Sequence, residues 1–172
     1  TDPWTLWVAT PPEASIRSLD FIGPQLFGAA EDDGVFVSPA TTGPWTQQNT
    51  GLDSPVDKQT RQVVSNSGNL FAATSSGLFR STGGTGPWTK IGIGDGDQNR
   101  RLIQGGVQSI VFNSPTDMVV ALSGTSPSGI FYSSDSGDHW DKATGMPTNE
   151  GVYYITRGLT GSPLPIYAAA SD

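Results

Sequence analysis

The feature that most limits how this chain can fold is a segment that occurs three times in register. In Gly34–Trp45, Gly77–Trp88 and Gly129–Trp140, glycine stands eleven residues before the tryptophan and serine seven before it. An apolar pair follows each glycine: Val35-Phe36, Leu78-Phe79 and Ile130-Phe131. A period of this kind marks a fold of repeated units, each burying a face on the next. Each copy reads as strand, tight turn and second strand. A short Ser or Asp side chain closes such a turn by accepting backbone N–H bonds. Glycine tolerates φ > 0 there. The tryptophan supplies a large apolar body that fastens the hairpin to its neighbour.

The third copy carries S-x-D-x-G-x-x-W in full, through Ser133, Asp135, Gly137 and Trp140. The other two keep the serine and the tryptophan but place Pro39-Ala40 and Thr82-Gly83 around the aspartate position. The pattern resembles the Asp-box (BNR) repeat of sialidase-like, xyloglucanase-like and sortilin-like β-propellers. That resemblance implies an all-β propeller of four-stranded antiparallel blades. It also implies that the motif turns lie away from the ligand face, so the motif residues build the fold. Asp-box propellers include glycoside hydrolases, assembly factors and receptor ectodomains.

Along the chain, residues 15–48, 60–91 and 107–142 each read as one blade of four short strands. Residues 1–8 repeat the Pro-Trp-Thr strand that closes the first two blades, and 152–172 repeat the first two strands of a blade. The expectation is a single propeller segment of about four blades, with 1–8 plus 152–172 as a split one. A second copy or further sequence would complete it; the alternative is a self-contained four-bladed ring whose ends pair across the gap. The matching second strands Leu26-Phe27-Gly28-Ala29-Ala30 and Leu70-Phe71-Ala72-Ala73-Thr74 are built of small residues that allow close approach between blades.

Composition agrees and excludes. Among 172 residues there are 22 Gly and 13 Pro, and only 15% are charged, which suits many short strands and turns. No apolar run is long enough for a membrane-spanning helix. The net charge of -7 disfavours nucleic acid as a partner. There is no cysteine and one histidine, so thiolate chemistry and multi-histidine metal sites are excluded by count. The acidity and the family resemblance point to a secreted or periplasmic protein.

Propeller loops that join a fourth strand to the next inner strand share a face with those joining second to third strands. Binding residues gather on such loops. The longest crossing, Gly92–Gly106, carries Asp95, Asp97, Asn99, Arg100 and Arg101. The alternating oxygens resemble a calcium loop, but Arg100 and Gly106 stand where an EF-hand has glycine and glutamate. No cofactor is therefore expected, and Arg100 and Arg101 are read as pairing with those aspartates or taking an anionic ligand. Arg17, Arg61 and Arg157 fall on inner strands and are expected to reach the channel. Tyr153 and Tyr154 adjoin on a strand and are expected to point to opposite faces.

Two functions follow. One is a non-catalytic binding or scaffold module that takes a protein or glycan ligand on the loop face, through Asp95, Asp97, Asn99, Arg100, Arg101 and Arg157. The other is part of a secreted glycoside hydrolase, which needs two carboxyl groups about 5–9.5 Å apart. Its candidates are Asp53 or Asp57 with Asp95 or Asp97.

Overall fold

The computed structural model describes residues 14–39, 44–92, 105–123, 128–145, 151–159 and 165–170. Alternating residues over Ile16–Ile22 form β1. The chain turns at Gly23, at φ 56, into β2 (Gln25–Ala30), then runs through β3 (Gly34–Pro39) and the short β4 (Thr46–Gln47). These four strands pair antiparallel in sequence order. The pattern repeats in β5 (Thr60–Asn66), β6 (Asn69–Thr74), β7 (Gly77–Thr82) and β8 (Thr89–Ile91). It repeats again in β9 (Gly106–Phe112), β10 (Met118–Ser123), β11 (Gly129–Ser133) and β12 (Asp141–Lys142). A two-stranded sheet of β13 (Val152–Arg157) and β14 (Ile166–Ala170) follows. The chain is an all-β propeller segment of antiparallel blades.

Local chemistry explains the hairpins. Ser67 and Gly68 both sit at positive φ between the paired Asn66 and Asn69, the geometry of a two-residue turn whose twist matches its strands. In the third copy of the repeat, the Ser133 hydroxyl accepts from the Gly137 N–H at 2.9 Å and donates to Asp135 Oδ1 at 2.9 Å. Asp135 Oδ1 in turn accepts from the N–H groups of Asp138 at 3.1 Å and His139 at 2.8 Å. Trp140 Nε1 donates to the Gly137 carbonyl at 2.9 Å, which pins the ring over the turn. The second copy lacks the aspartate and closes differently. There the Ser81 hydroxyl donates to the Gly86 carbonyl at 2.8 Å, and Trp88 Nε1 reaches the preceding blade at Gln48 O, 2.6 Å away.

Apolar layers lie between consecutive blades. Phe27, Ala29 and Val35 of the first blade pack on Val63, Ala72 and Trp88 of the second. Phe71, Ala73 and Leu78 of the second pack on Ile110, Val120 and Trp140 of the third. Val119, Ala121 and Ile130 of the third pack on Val152 and Ile155. Adjacent Ala72 and Ala73 thus face opposite interfaces, as the period of a strand requires. Each large buried side chain contributes roughly 1.5–3 kcal/mol.

Two details differ from what the residues suggest, namely fourth strands Trp45–Gln48, Trp88–Ile91 and His139–Lys142 and a plain loop over Asn49–Gln59. The fourth strands begin after their tryptophans, because Trp45 and Trp140 precede the paired residues. The crossing Asn49–Gln59, read as loop, contains a one-turn helix, α1 (Pro55–Lys58). Ser54 caps it in a capping box with Asp57, and Pro55 sits at its first position, where the missing N–H costs nothing. Residues 1–8, with Trp4 and Trp7, lie outside the described residues.

Candidate binding cleft on the loop face

The inner strands β1, β5, β9 and β13 each carry one extra residue near their start. Ile16 pairs with Ala30 and Ser18 with Ala29, so Arg17 is left over. The same count isolates Arg61 between Thr60 and Gln62, Gln108 between Val107 and Ser109, and Tyr153 between Val152 and Tyr154. A bulge turns a side chain out of the regular alternation. Here all four bulged residues line one cleft of ≈ 460 Å³ at the loop end of the inner strands.

Three of the four are tied to the same repeat position. The Arg17 guanidinium pairs with the Glu31 carboxylate, Arg61 Nη2 donates to Ser75 Oγ at 2.9 Å, and Gln108 Nε2 donates to Ser123 Oγ. Each tie joins the bulge to the residue just after, or at the end of, the second strand of its own blade. Arg17 is thereby neutralised by its partner, whereas Arg61 spends one N–H on a neutral hydroxyl and keeps its charge for the cleft. Glu31 and Asp32 add two carboxylates to its lining.

The bulge overturns the expectation for the tyrosines. Tyr153 and Tyr154 do not point to opposite faces. Both are exposed and both line the cleft, because the extra residue breaks the two-residue period between them. The inner-strand glutamines Gln62 and Gln108 were not singled out in the sequence either. The signal for Gln108 was the repeat itself, since Arg17, Arg61, Gln108 and Tyr153 occupy one repeat position.

Arg157 lies elsewhere. It ends β13, at the far end of the inner strands, and its Nη1 donates to the Phe112 carbonyl of the neighbouring blade at 3.1 Å. It borders a second opening of ≈ 800 Å³ together with Asp20, Asn66 and Asn113. Asp57 is committed to structure. Its Oδ2 accepts from the Ser54 N–H at 2.9 Å and the Ser54 hydroxyl at 2.6 Å, and Oδ1 accepts from the Ser76 hydroxyl. Burial pushes its carboxyl up, but the hydroxyls of Ser54 and Ser76, the Ser54 N–H and the Lys90 charge outweigh that and hold it below the usual value. A general acid needs the opposite shift. Asp53 is exposed in the same crossing. Asp95, Asp97, Asn99, Arg100 and Arg101 lie outside the described residues. Gly106, which opens β9, lies close to Ser75 at the cleft: a Cβ added there would be 3.2 Å from the Ser75 carbonyl oxygen. Among the described residues, no group of three His, Asp or Glu side chains is placed to hold a metal ion. No helix among them is long and apolar enough to cross a membrane.

No known protein family matches the chain, and no curated protein resembles it in sequence. Solved structures do resemble it in fold. The computationally designed Ika4 protein matches at TM-score 0.60 with 12% identity, over 94% of this chain and 94% of that one. An ancestral GH74 enzyme matches at TM-score 0.66 with 18% identity, over 96% of this chain and 23% of the enzyme. YCF48 from Cyanidioschyzon merolae matches at TM-score 0.62 with 14% identity, over 90% of this chain and 50% of that protein. At these identities the likeness shows the fold alone. The chain spans less than a quarter of the GH74 enzyme and half of YCF48.

Proposed function

We propose that the chain is a non-catalytic binding module of the Asp-box propeller type, taking a protein or carbohydrate ligand at the loop-face end of its inner strands. The single observation that carries this reading is the alignment of four bulges on one cleft. A bulge interrupts strand pairing, and repeating it in every blade serves no packing need, since each bulged side chain points away from the inter-blade cores. What it achieves is a mixed surface of two guanidinium groups, an amide and two phenol rings at one place. Tyrosine rings give sugars or peptide side chains a flat apolar face at low entropic cost. Arg61 supplies charge-assisted hydrogen bonds. Asp95, Asp97, Asn99, Arg100 and Arg101 would add contacts from the loop that ends at Gly106, while Arg157 belongs to the opposite end. Residues 1–8 and 152–172 would form a split blade, and the setting would be secreted or periplasmic. Among proteins of like fold, YCF48 has been solved bound to D1 peptide, which supports the peptide-ligand class.

The glycoside hydrolase reading stands second, on the likeness to GH74 enzymes. Its candidate Asp57 serves as a helix cap with a lowered pKa, which does not suit the general-acid role of the pair.

Screening the chain on a glycan array and a peptide array, with Arg61→Ala and the pair Tyr153→Ala/Tyr154→Ala alongside, tests the proposal. Expected is a ligand whose signal falls at least about tenfold in both variants, the loss of roughly 1.4 kcal/mol or more, with the circular dichroism unchanged. Binding indifferent to both substitutions would overturn the assigned cleft. Turnover of aryl glycosides abolished by Asp53→Asn would overturn the non-catalytic reading.

A further inference from the structure

Each described interface between blades has a leading and a trailing side. On the leading side, Val63, Ile110 and Ile155 occupy one repeat position of the inner strand, and all three are buried. The first blade has Leu19 at that position, and it is 56% exposed, with Phe21 two residues on at 51%. On the trailing side, Phe27, Phe71 and Val119 share a position of the second strand and are buried, whereas their counterpart Tyr167 is 60% exposed. The first blade therefore exposes the inner-strand edge of its leading face, at Leu19 and Phe21, although Leu26 and Phe36 on that face are buried, and the last sheet exposes its trailing face at Tyr167. The three built interfaces show that these two surfaces are complementary halves of one joint: Val63 packs with Phe27 and Ala29, and Ile110 with Phe71 and Ala73.

We infer that a second copy of this chain covers both faces. Leu19 and Phe21 of each protomer dock on Tyr167 and Ala169 of the other, so two heterologous joints close one ring. Head-to-tail contacts close when the rotation between copies completes a turn. Twice the blades of one chain stays within the about 4–8 blades common in propellers. Charge restricts where two copies can meet. The chain carries a net charge of -7, so its surfaces in general repel, while Leu19, Phe21, Tyr167 and Ala169 are uncharged. Neighbouring exposed apolar side chains on a charged protein mark interaction sites.

The test uses the absence of cysteine. Chains carrying Leu19→Cys and Tyr167→Cys are mixed under mild oxidation and compared with each alone. A covalent heteropair in the mixture, at least about tenfold over either single chain, is expected, equivalent to roughly 1.4 kcal/mol of preference. Sedimentation of the unsubstituted chain should give twice the 18.0 kDa chain mass. The pair Leu19→Glu/Phe21→Glu should return it to the single mass with its β-sheet spectrum intact. A monomeric unsubstituted chain, a polymer of indefinite size, or cross-links confined to one variant alone would each overturn the inference.

Discussion

The Ser18 hydroxyl spans both backbone groups of Val63 in the next blade, accepting from its N–H at 3.2 Å and donating to its carbonyl at 3.2 Å. Ser109 does the same to Ile155, at 3.3 and 3.3 Å. Gln62 makes the acceptor half of the contact, taking the Ile110 N–H at 2.6 Å. Inner strands of neighbouring blades do not pair as a sheet, so these polar side chains satisfy backbone groups that would otherwise be buried without partners.

Removing one such hydroxyl leaves a buried N–H and carbonyl unmet. Ser109→Ala should lower stability by about 1–3 kcal/mol in denaturant titration. Ser18→Ala should cost less, because its site is only partly buried. Equal, near-zero effects would show that water replaces both hydroxyls.

The tryptophans should separate by burial. Trp88 and Trp140 are buried between blades, whereas Trp45 is only half-buried on the leading face of the first blade. Trp140→Ala and Trp88→Ala should each cost about 3–5 kcal/mol. Trp45→Ala should cost clearly less when the protein is dilute. Thermal unfolding of the three variants checks the order.

Asp135 sets an acid limit on the third blade. Burial pushes its carboxyl up, but the N–H and imidazole of His139 and the Ser133 hydroxyl pull it down to about 2, against 3.8 for a free aspartate. A folded pKa below the unfolded one adds stability above the unfolded value, which fades as pH falls through the folded one. The gap in stability between the native chain and Asp135→Asn should thus be constant above about pH 4.5 and shrink from about pH 4 towards 2. Chemical denaturation across that window measures it. A gap that grows on acidification would contradict the assignment.

Asp57 is predicted to matter for stability rather than for chemistry. Asp57→Ala removes a capping box and should cost about 0.5–2 kcal/mol. Any ligand bound on the cleft should keep its affinity within about twofold once the variant is folded, a difference of roughly 0.4 kcal/mol. Calorimetry of folding and of binding on one preparation separates the two.

The strands, their order and the blade repeat were legible in the residues. Alternation, turn glycines and the spacing to tryptophan act locally, over fewer than a dozen positions, and the chain had to write them out three times. The cleft was legible only in outline. Arg17 and Arg61 could be placed near the axis because they sit on inner strands. That Tyr153 joins Tyr154 on the same side depends on a bulge, and a bulge is a mismatch between two strands that neither strand records alone. Arg157 shows the same limit in reverse: a residue's strand could be read, but which end of the axis it reaches depends on strand direction within the assembled blades. Sequence determined what each unit is, because the forces that make a hairpin are short-ranged. Tertiary structure decided which side chains meet, and left Leu19 and Tyr167 bare, because burial depends on whether a neighbouring blade is there to cover the face.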